Sequence, residues 1–271
     1  MLDQETLAEI AQSLLPIAYS AGDIIEDLAS KGVKVLRKMD GSPVTAADQQ
    51  AENAILESVE KLALGFPIVG EELVSDGGAP NLNSGDTYWL VDALDGTKEF
   101  IKGTGEYTVN IGLIENKKPV LGVVYAPAKG VLYYGCGDSA FKNENREKTV
   151  SIAARSVPEQ GIDVTASRSH GDSAKVEALL SGVTVNGFIG SGSSLKFCLI
   201  AEGKADIYPR YGRTCEWDTA AAHAILNAAG GHVVREDTRK ELAYGKVSGG
   251  FYNPEFIALS EELLVSQFNL S

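Results

Sequence analysis

Four acidic residues carry the chemistry of this chain. Asp92 and Asp95 close the apolar run Trp89-Leu90-Val91 and flank Leu94, with Gly96-Thr97 directly behind. A buried strand does not need two acids at its end, whereas a cation site does. Glu71 follows another short apolar run, Ile68-Val69-Gly70, and Asp218 opens the small-residue stretch Trp217-Asp218-Thr219-Ala220-Ala221. Hard divalent cations take carboxylate and carbonyl oxygens. A turn after Asp92 would present both carboxylates and the Leu94 carbonyl to one side. Acids brought that close repel one another unless a cation neutralises them. The chain has three His (His170, His223, His232) and three Cys (Cys136, Cys198, Cys215) without C-x-x-C spacing. The expected ion is therefore magnesium-like rather than zinc-like.

Gly96 and Thr97 add an anion site to the cation site. A residue without a side chain lets backbone N–H groups approach a phosphate, above all where a helix begins. The Thr97 hydroxyl is placed to orient a water. The chemistry these residues point to is metal-assisted hydrolysis of a phosphate ester, with ions about 3.5–4 Å apart stabilising the attacking and leaving oxygens. Asp48 joins the candidates, because Thr45 and Asp48 have the spacing of a capping box at a helix start that would aim the acid at the same water. The residues alone leave plainer readings open. Asp48 serves equally as a cap, Glu71 and Asp218 as solvated acids or caps, and Asp95-Gly96 as a turn.

Several elements must position these groups. Leu7, Ile10, Leu14, Ile17, Ile24 and Leu28 recur near 3.6 residues, which predicts a helix over 3–29 that Pro16 should kink or split and Gly32 should end. A strand is expected over 33–39, a helix over 46–63, a short strand over 66–69 and a loop over 73–86. Residues 107–114, 120–125 and 131–135 read as an antiparallel meander, with 139–142 as a further strand. Lys, Glu and Asn cluster between 143 and 158, and a boundary there divides the chain into 1–150, holding the metal and phosphate, and 151–271, holding the substrate. The second part alternates, with strands over 163–167, 183–189, 205–208 and 232–234, and helices over 172–181, 193–202 and 217–229. Ala220, Ala221 and Ala222 permit close packing of the last helix behind the site, and Trp217 reads as the packing residue that fixes Asp218. No G-x-G-x-x-G follows an early strand, so the pattern implies mixed layers rather than a dinucleotide-binding unit.

Composition excludes some classes. With 271 residues, 44% hydrophobic and 23% charged, the chain can bury a large core or two smaller ones. No apolar run is long enough to span a bilayer, and Met1-Leu2-Asp3-Gln4-Glu5 lacks the features of a secretory signal. Unpaired thiols suit a reducing cytoplasm. The net charge of −13 opposes a nucleic-acid polymer or an anionic membrane, but not a small anion met by local Lys or Arg.

The motifs resemble those of the inositol monophosphatase superfamily. Gly70-Glu71-Glu72, Asp92-Ala93-Leu94-Asp95-Gly96-Thr97 and Trp217-Asp218-Thr219-Ala220-Ala221 are similar in content and order to its signatures. Ala93 stands where many members have Pro, which removes a fixed φ but no ligand. Two further stretches resemble the CysQ-type 3'(2'),5'-bisphosphate nucleotidase branch. They are Ser42-Pro43-Val44-Thr45-Ala46-Ala47-Asp48, and Gly192-Ser193-Ser194-Leu195-Lys196-Phe197-Cys198-Leu199 with Tyr208-Pro209-Arg210. The resemblance implies a layered αβαβα fold of the α+β class, with an antiparallel N-terminal sheet and a mixed C-terminal sheet.

It also implies roles. Two or three magnesium ions would be bound by Glu71, Asp92, Asp95, Asp218 and the Leu94 carbonyl. Thr97, with Asp48 or Glu71, would activate the water, and Gly96 and Thr97 would hold the scissile phosphate. His170, Ser193, Lys196 and Arg210 would hold the remaining 5'-phosphate and nucleoside. Read without the resemblance, Lys196 is equally a snorkelling helix residue, Arg210 a surface charge and His170 a loop cap. The implied reaction converts adenosine 3',5'-bisphosphate to AMP and phosphate in sulfate assimilation, extends to 3'-phosphoadenylyl sulfate, and is lithium-sensitive. A monomer is expected rather than a homodimer, in the cytoplasm, with peripheral contact to the inner membrane implied by family analogy alone. The alternatives are inositol-1-phosphate hydrolysis and non-catalytic sensing of nucleotide or metal.

Overall fold

The computed structural model describes residues 2–32, 35–38, 43–83, 85–166 and 173–261. The first helix, α1 (Gln4–Ser30), is capped by Asp3, whose side chain accepts from the Thr6 N–H. Its Leu7, Ile10, Leu14, Ala18, Ala21 and Ile25 are buried at helical spacing. The helix is not split at Pro16. That residue is exposed, as is Gln12, so the Gln12 carbonyl that loses its partner faces water. Gly32, at φ +91°, follows the end of the helix and supplies a left-handed turn. A small hairpin of β1 (Val35–Arg37) and β2 (Pro43–Thr45) leads into α2 (Ala46–Glu60). The capping box expected at Thr45 and Asp48 is present.

Among the described residues, one sheet has seven strands in sequence order. They are β3 (Ile68–Gly70), β4 (Tyr88–Asp95), β5 (Thr108–Glu115), β6 (Lys118–Ala126), β7 (Val131–Cys136), β8 (Ser139–Glu144) and β9 (Lys148–Ile152). The expected meander is there, and every pairing is antiparallel except β3 with β4, which is parallel. Two short helices interrupt it: α3 (Glu71–Ser75), starting where a loop was expected two residues later, and α4 (Thr97–Ile101). The second sheet has the order β11-β10-β12-β14-β13, from β10 (Ile162–Ala166), β11 (Val185–Gly190), β12 (Ile207–Arg210), β13 (His232–Arg235) and β14 (Phe256–Leu259). Its pairings are parallel around β10 and antiparallel around β14. The chain passes from one sheet to the other between Ile152 and Ile162.

Helices complete the layers. Helices α1 and α2 bury their apolar faces on one side of the first sheet, through Ile25 and Ile55 against Val91, Val109 and Ile111. Helices α6 (Leu195–Ala201) and α7 (Ala220–Ala228) fill the space between the sheets, where Phe197 and Ile225 meet Val124 on one side and Phe256 and Ala258 on the other. Helix α5 (Ser173–Leu179) covers the outer face of the second sheet, with Leu179 against Val164 and Ile207. The stack is αβαβα. No helix among the described residues is long and apolar enough to cross a membrane.

Candidate active site

The stretch that ends β4 is shaped by a bulge. Asp92 pairs with Asn110 and Asp95 with Thr108, so β4 holds one more residue than β5 over this interval. The extra residue turns the strand end, and Asp92 Oδ1 accepts the Leu94 N–H at 2.9 Å. Gly96 follows at φ +96°, where a Cβ would come within 3.2 Å of the Glu106 carbonyl. Both the backbone angle and the close approach require glycine. Thr97 then begins α4. Its hydroxyl donates to Asp48 Oδ1 at 3.0 Å, with the Leu94 carbonyl 3.4 Å away. Asp48 Oδ2 takes both the Thr45 N–H and the Thr45 hydroxyl at 2.7 Å. Asp48 is thus a cap and a partner of Thr97 at once. It is buried behind Thr97 and does not line the cleft.

Glu71 reaches the same place from β3. Its helix α3 has Gly70 as N-cap and no capping side chain of its own. Glu52, from α2, caps it across the chain: its carboxylate accepts the Glu72 N–H at 2.9 Å and the Leu73 N–H at 2.7 Å. A Cβ on Gly70 would lie 2.4 Å from Glu52 Oε1, so glycine is needed there too. Asp218 sits two residues before α7, with Oδ2 accepting the Cys215 N–H at 2.8 Å. Helix α7 comes close to the sheet because Gly112, Gly122 and Gly135 lie beneath Ala220, Ala221 and Ala228. Trp217 packs among Val69, Leu90, Ala220 and Phe251, as expected of a residue that fixes Asp218.

Three carboxylates converge. Oxygens of Glu71, Asp92 and Asp218 lie within 4.8 Å of one another. Burial, then the charges of Glu71, Asp95 and Asp218, push Asp92 well above the ordinary carboxylate range. Burial, then Asp95 and Glu71, does the same to Asp218. Glu71 is also raised by burial, although its side chain keeps 32% exposure and lines the cleft. Acids this crowded fit a hard divalent cation. Asp95 lines the same cleft but turns its Oδ2 to the Ser193 hydroxyl at 2.5 Å and the Ser194 N–H at 2.8 Å.

Two site residues escaped the reading of the sequence. Lys38 places Nζ 2.6 Å from both Glu71 Oε1 and Glu72 Oε1. Burial alone would depress it, but the two carboxylates outweigh that and hold it above the ordinary lysine range. Glu52 is the other. Nothing in the spacing marks either, because both reach the site across the fold rather than along the chain.

The same cleft also holds cations, Lys196 and Arg210. Lys196 is buried on α6; its ammonium donates to the Ser193 carbonyl at 2.6 Å and lies 5.1 Å from the centre of the Tyr208 ring. Burial lowers it to about 8. Arg210 ends β12, with Nε donating to the Gly212 carbonyl at 3.1 Å and Nη2 to the Arg213 carbonyl at 3.3 Å. Ser193 adopts φ +52°, and its hydroxyl donates to Asp95. His170 lies outside the described residues. Apart from Asp48, the other residues expected at the site, Leu94, Gly96, Thr97, Ser193, Lys196 and Arg210 among them, line one cleft of about 690 Å³.

The whole chain, and not only these motifs, matches the inositol monophosphatase family, over residues 3–266. The chain belongs to the inositol monophosphatase family. Enzymes of this family depend on metal ions, which agrees with the acidic cluster. Its relatives include the 3'(2'),5'-bisphosphate nucleotidase CysQ of Salmonella typhimurium, 46% identical over 249 residues, or 90% of this chain and 97% of the relative. The CysQ of Escherichia coli K12 is 44% identical over 243 residues, covering 89% of this chain and 95% of that one. Among solved structures, CysQ from Bacteroides thetaiotaomicron superposes with a TM-score of 0.76 at 35% identity, covering 94% of this chain and 98% of the other.

Proposed function

We propose that this protein is a magnesium-dependent 3'(2'),5'-bisphosphate nucleotidase that hydrolyses the 3'-phosphate of adenosine 3',5'-bisphosphate to AMP and phosphate. The observation that carries the reading is one cleft lined by an acidic cluster and by enclosed cations. Glu71, Asp92 and Asp218 form the cluster, and Lys196 and Arg210 line the same cleft. A monoester needs only the first. A substrate with a second phosphate, which an acidic site would repel, needs both. Arg is suited to a bidentate phosphate contact and Lys to a point charge. The names of the relatives at 44–46% identity support the same substrate class.

Glu71, Asp92, Asp95, Asp218 and the Leu94 carbonyl are the residues we assign to magnesium. Magnesium held there would polarise a phosphoryl oxygen and lower the pKa of the attacking water. Thr97 donates its hydroxyl proton to Asp48, so its lone pairs are left to accept from that water. Asp48, raised by burial, is placed to take the proton through Thr97. The water oxygen bonds to phosphorus, the bond from phosphorus to the 3'-oxygen breaks, and that oxygen takes a proton from solvent, while the proton received by Asp48 returns to solvent. We extend the proposal to 3'-phosphoadenylyl sulfate, which carries the same 3'-phosphate, and to a cytoplasmic role in clearing the nucleotide left after sulfate transfer.

The test is phosphate release across a panel at fixed magnesium, containing adenosine 3',5'-bisphosphate, 3'-phosphoadenylyl sulfate and inositol 1-phosphate. Release from the first is the expected result. A robust rate on inositol 1-phosphate with none on either nucleotide would reject the reading, as would magnesium binding without turnover of any member.

A further inference from the structure

Beyond the metal and phosphate groups, the cleft has a flat edge that the proposed reaction leaves unused. Arg213 and Tyr252 stand together at its rim, both exposed and both lining it. The Arg213 guanidinium carbon lies 3.8 Å from the centre of the Tyr252 ring, the distance of a stacked pair. Tyr252 keeps 42% exposure, although apolar rings elsewhere in the chain are mostly buried. A neighbouring recess of about 530 Å³ shares the pair and adds Tyr211 and Pro254.

The backbone beneath the pair is fixed. Cys215 and Tyr252 form an antiparallel bridge. The Asn253 N–H donates to the Thr214 carbonyl at 2.9 Å, and the Glu216 N–H to the Phe251 carbonyl at 2.8 Å. The Asn253 side chain donates to the Cys215 carbonyl at 2.7 Å. This short ladder also holds Asp218, through the Cys215 N–H. On its other flank, the Arg213 carbonyl accepts from Arg210. The stacked pair is therefore locked in register with Asp218 of the metal cluster and with the cation Arg210.

We propose that the Arg213–Tyr252 pair is the seat of the nucleobase. The inference rests on the nucleotide reading above. With one phosphate at the carboxylate cluster and the other at Lys196 and Arg210, the base is the remaining part of the substrate to be held. A purine face stacks on phenol rings and guanidinium planes without hydrogen-bond readout. The site selects a large planar base over none, and discriminates weakly between adenine and other purines.

The experiment compares adenosine 3',5'-bisphosphate with ribose 3,5-bisphosphate, which keeps both phosphates and lacks the base. Wild type, Tyr252→Ala and Tyr252→Phe are assayed on each. Removing the base is expected to raise the wild-type KM roughly tenfold, and Tyr252→Ala to raise it roughly tenfold on the nucleotide, the usual effect of losing one stacking partner. On the abasic compound the Ala variant and wild type should agree within about twofold, and this also reports an intact fold. Tyr252→Phe keeps the ring and should follow wild type on both. Equal wild-type KM values for the two compounds, or an Ala variant impaired equally on both, would overturn the proposal. Failure of the nucleotidase reading looks different: wild type would release phosphate from neither compound while hydrolysing another monoester, and the base site would fall with it.

Discussion

Asp92 is the residue with the least freedom of explanation. It is 2% exposed, close to two other carboxylates, and held by the Leu94 N–H through one oxygen only. A carboxyl whose pKa is higher in the folded chain than in the unfolded chain holds its proton more tightly when folded. The stability it contributes is full below the unfolded value and lost as pH rises through the folded one. For Asp92 and Asp218 the loss begins near their ordinary value of 3.8 and continues well above it. Glu52 and Glu72, raised first by burial from 4.5 to about 6 and about 7, add to it across that interval. Glu52 alone corresponds to about 2 kcal/mol. Without divalent metal, the melting temperature should therefore fall between pH 4.5 and 7, and magnesium should flatten the fall. Asp92→Asn keeps the acceptor for Leu94 and removes one charge. It should raise the metal-free melting temperature at pH 7 while abolishing most magnesium-dependent turnover. Melts with chelator across a pH series check this, and an unchanged or steeper slope in the variant would count against a crowded cation site. Thr97 separates chemistry from binding at the same scale. Thr97→Val removes the hydroxyl between water and Asp48, and should lower kcat by about a hundredfold or more, with magnesium affinity kept. Thr97→Ser should retain most activity, and equal losses in both variants would argue against the hydroxyl as the relay.

Helix α7 carries Asp218 to the cluster only because it lies almost on the backbone of the first sheet. A Cβ on Gly122 would fall 1.9 Å from the Ala221 carbonyl, a contact that no side-chain rotation relieves. Gly122→Ala should destabilise the chain by about 3 kcal/mol. It should also weaken magnesium binding, because the displaced helix moves Asp218. Denaturant melts and metal titration test the two together, and a lost melt with normal metal affinity would separate helix packing from the site. The small residues at 220–222 made this contact readable from the sequence, as the motifs made most of the site. Other elements were not readable, for distinct reasons. Strand β14 is four buried residues with no alternation to mark it, and it pairs with strands distant in sequence. Strand β9 is exposed at four of its five positions and has the composition of a linker, although it closes the edge of the first sheet. The cap of α3 comes from Glu52, a residue on another helix, so no local pattern announces it.

At the scale of the molecule, the cleft lies where the two sheets meet, and both supply charged residues to it. Glu71 and Asp92 come from strand ends of the first sheet, whereas Arg210 comes from the end of β12 in the second. The chain as a whole carries −13, so a multiply charged anion is repelled by most of the surface and needs the cations that line the cleft. Lys196 is lowered to about 8 by burial and Arg210 stays charged at any working pH, so both meet the anion as cations near neutrality. Arg210→Ala removes a charge-assisted contact worth roughly 1.5–3 kcal/mol, and should raise KM for a nucleoside 3',5'-bisphosphate on the order of 10- to 100-fold. Inositol 1-phosphate has no second phosphate to place there, so its KM should change less than about threefold. Magnesium affinity, measured by titration, reports whether the carboxylate cluster survives the substitution. If both substrates weaken together while that affinity holds, Arg210 serves the scissile phosphate instead. The assignment of Arg210 to the second phosphate would then be wrong.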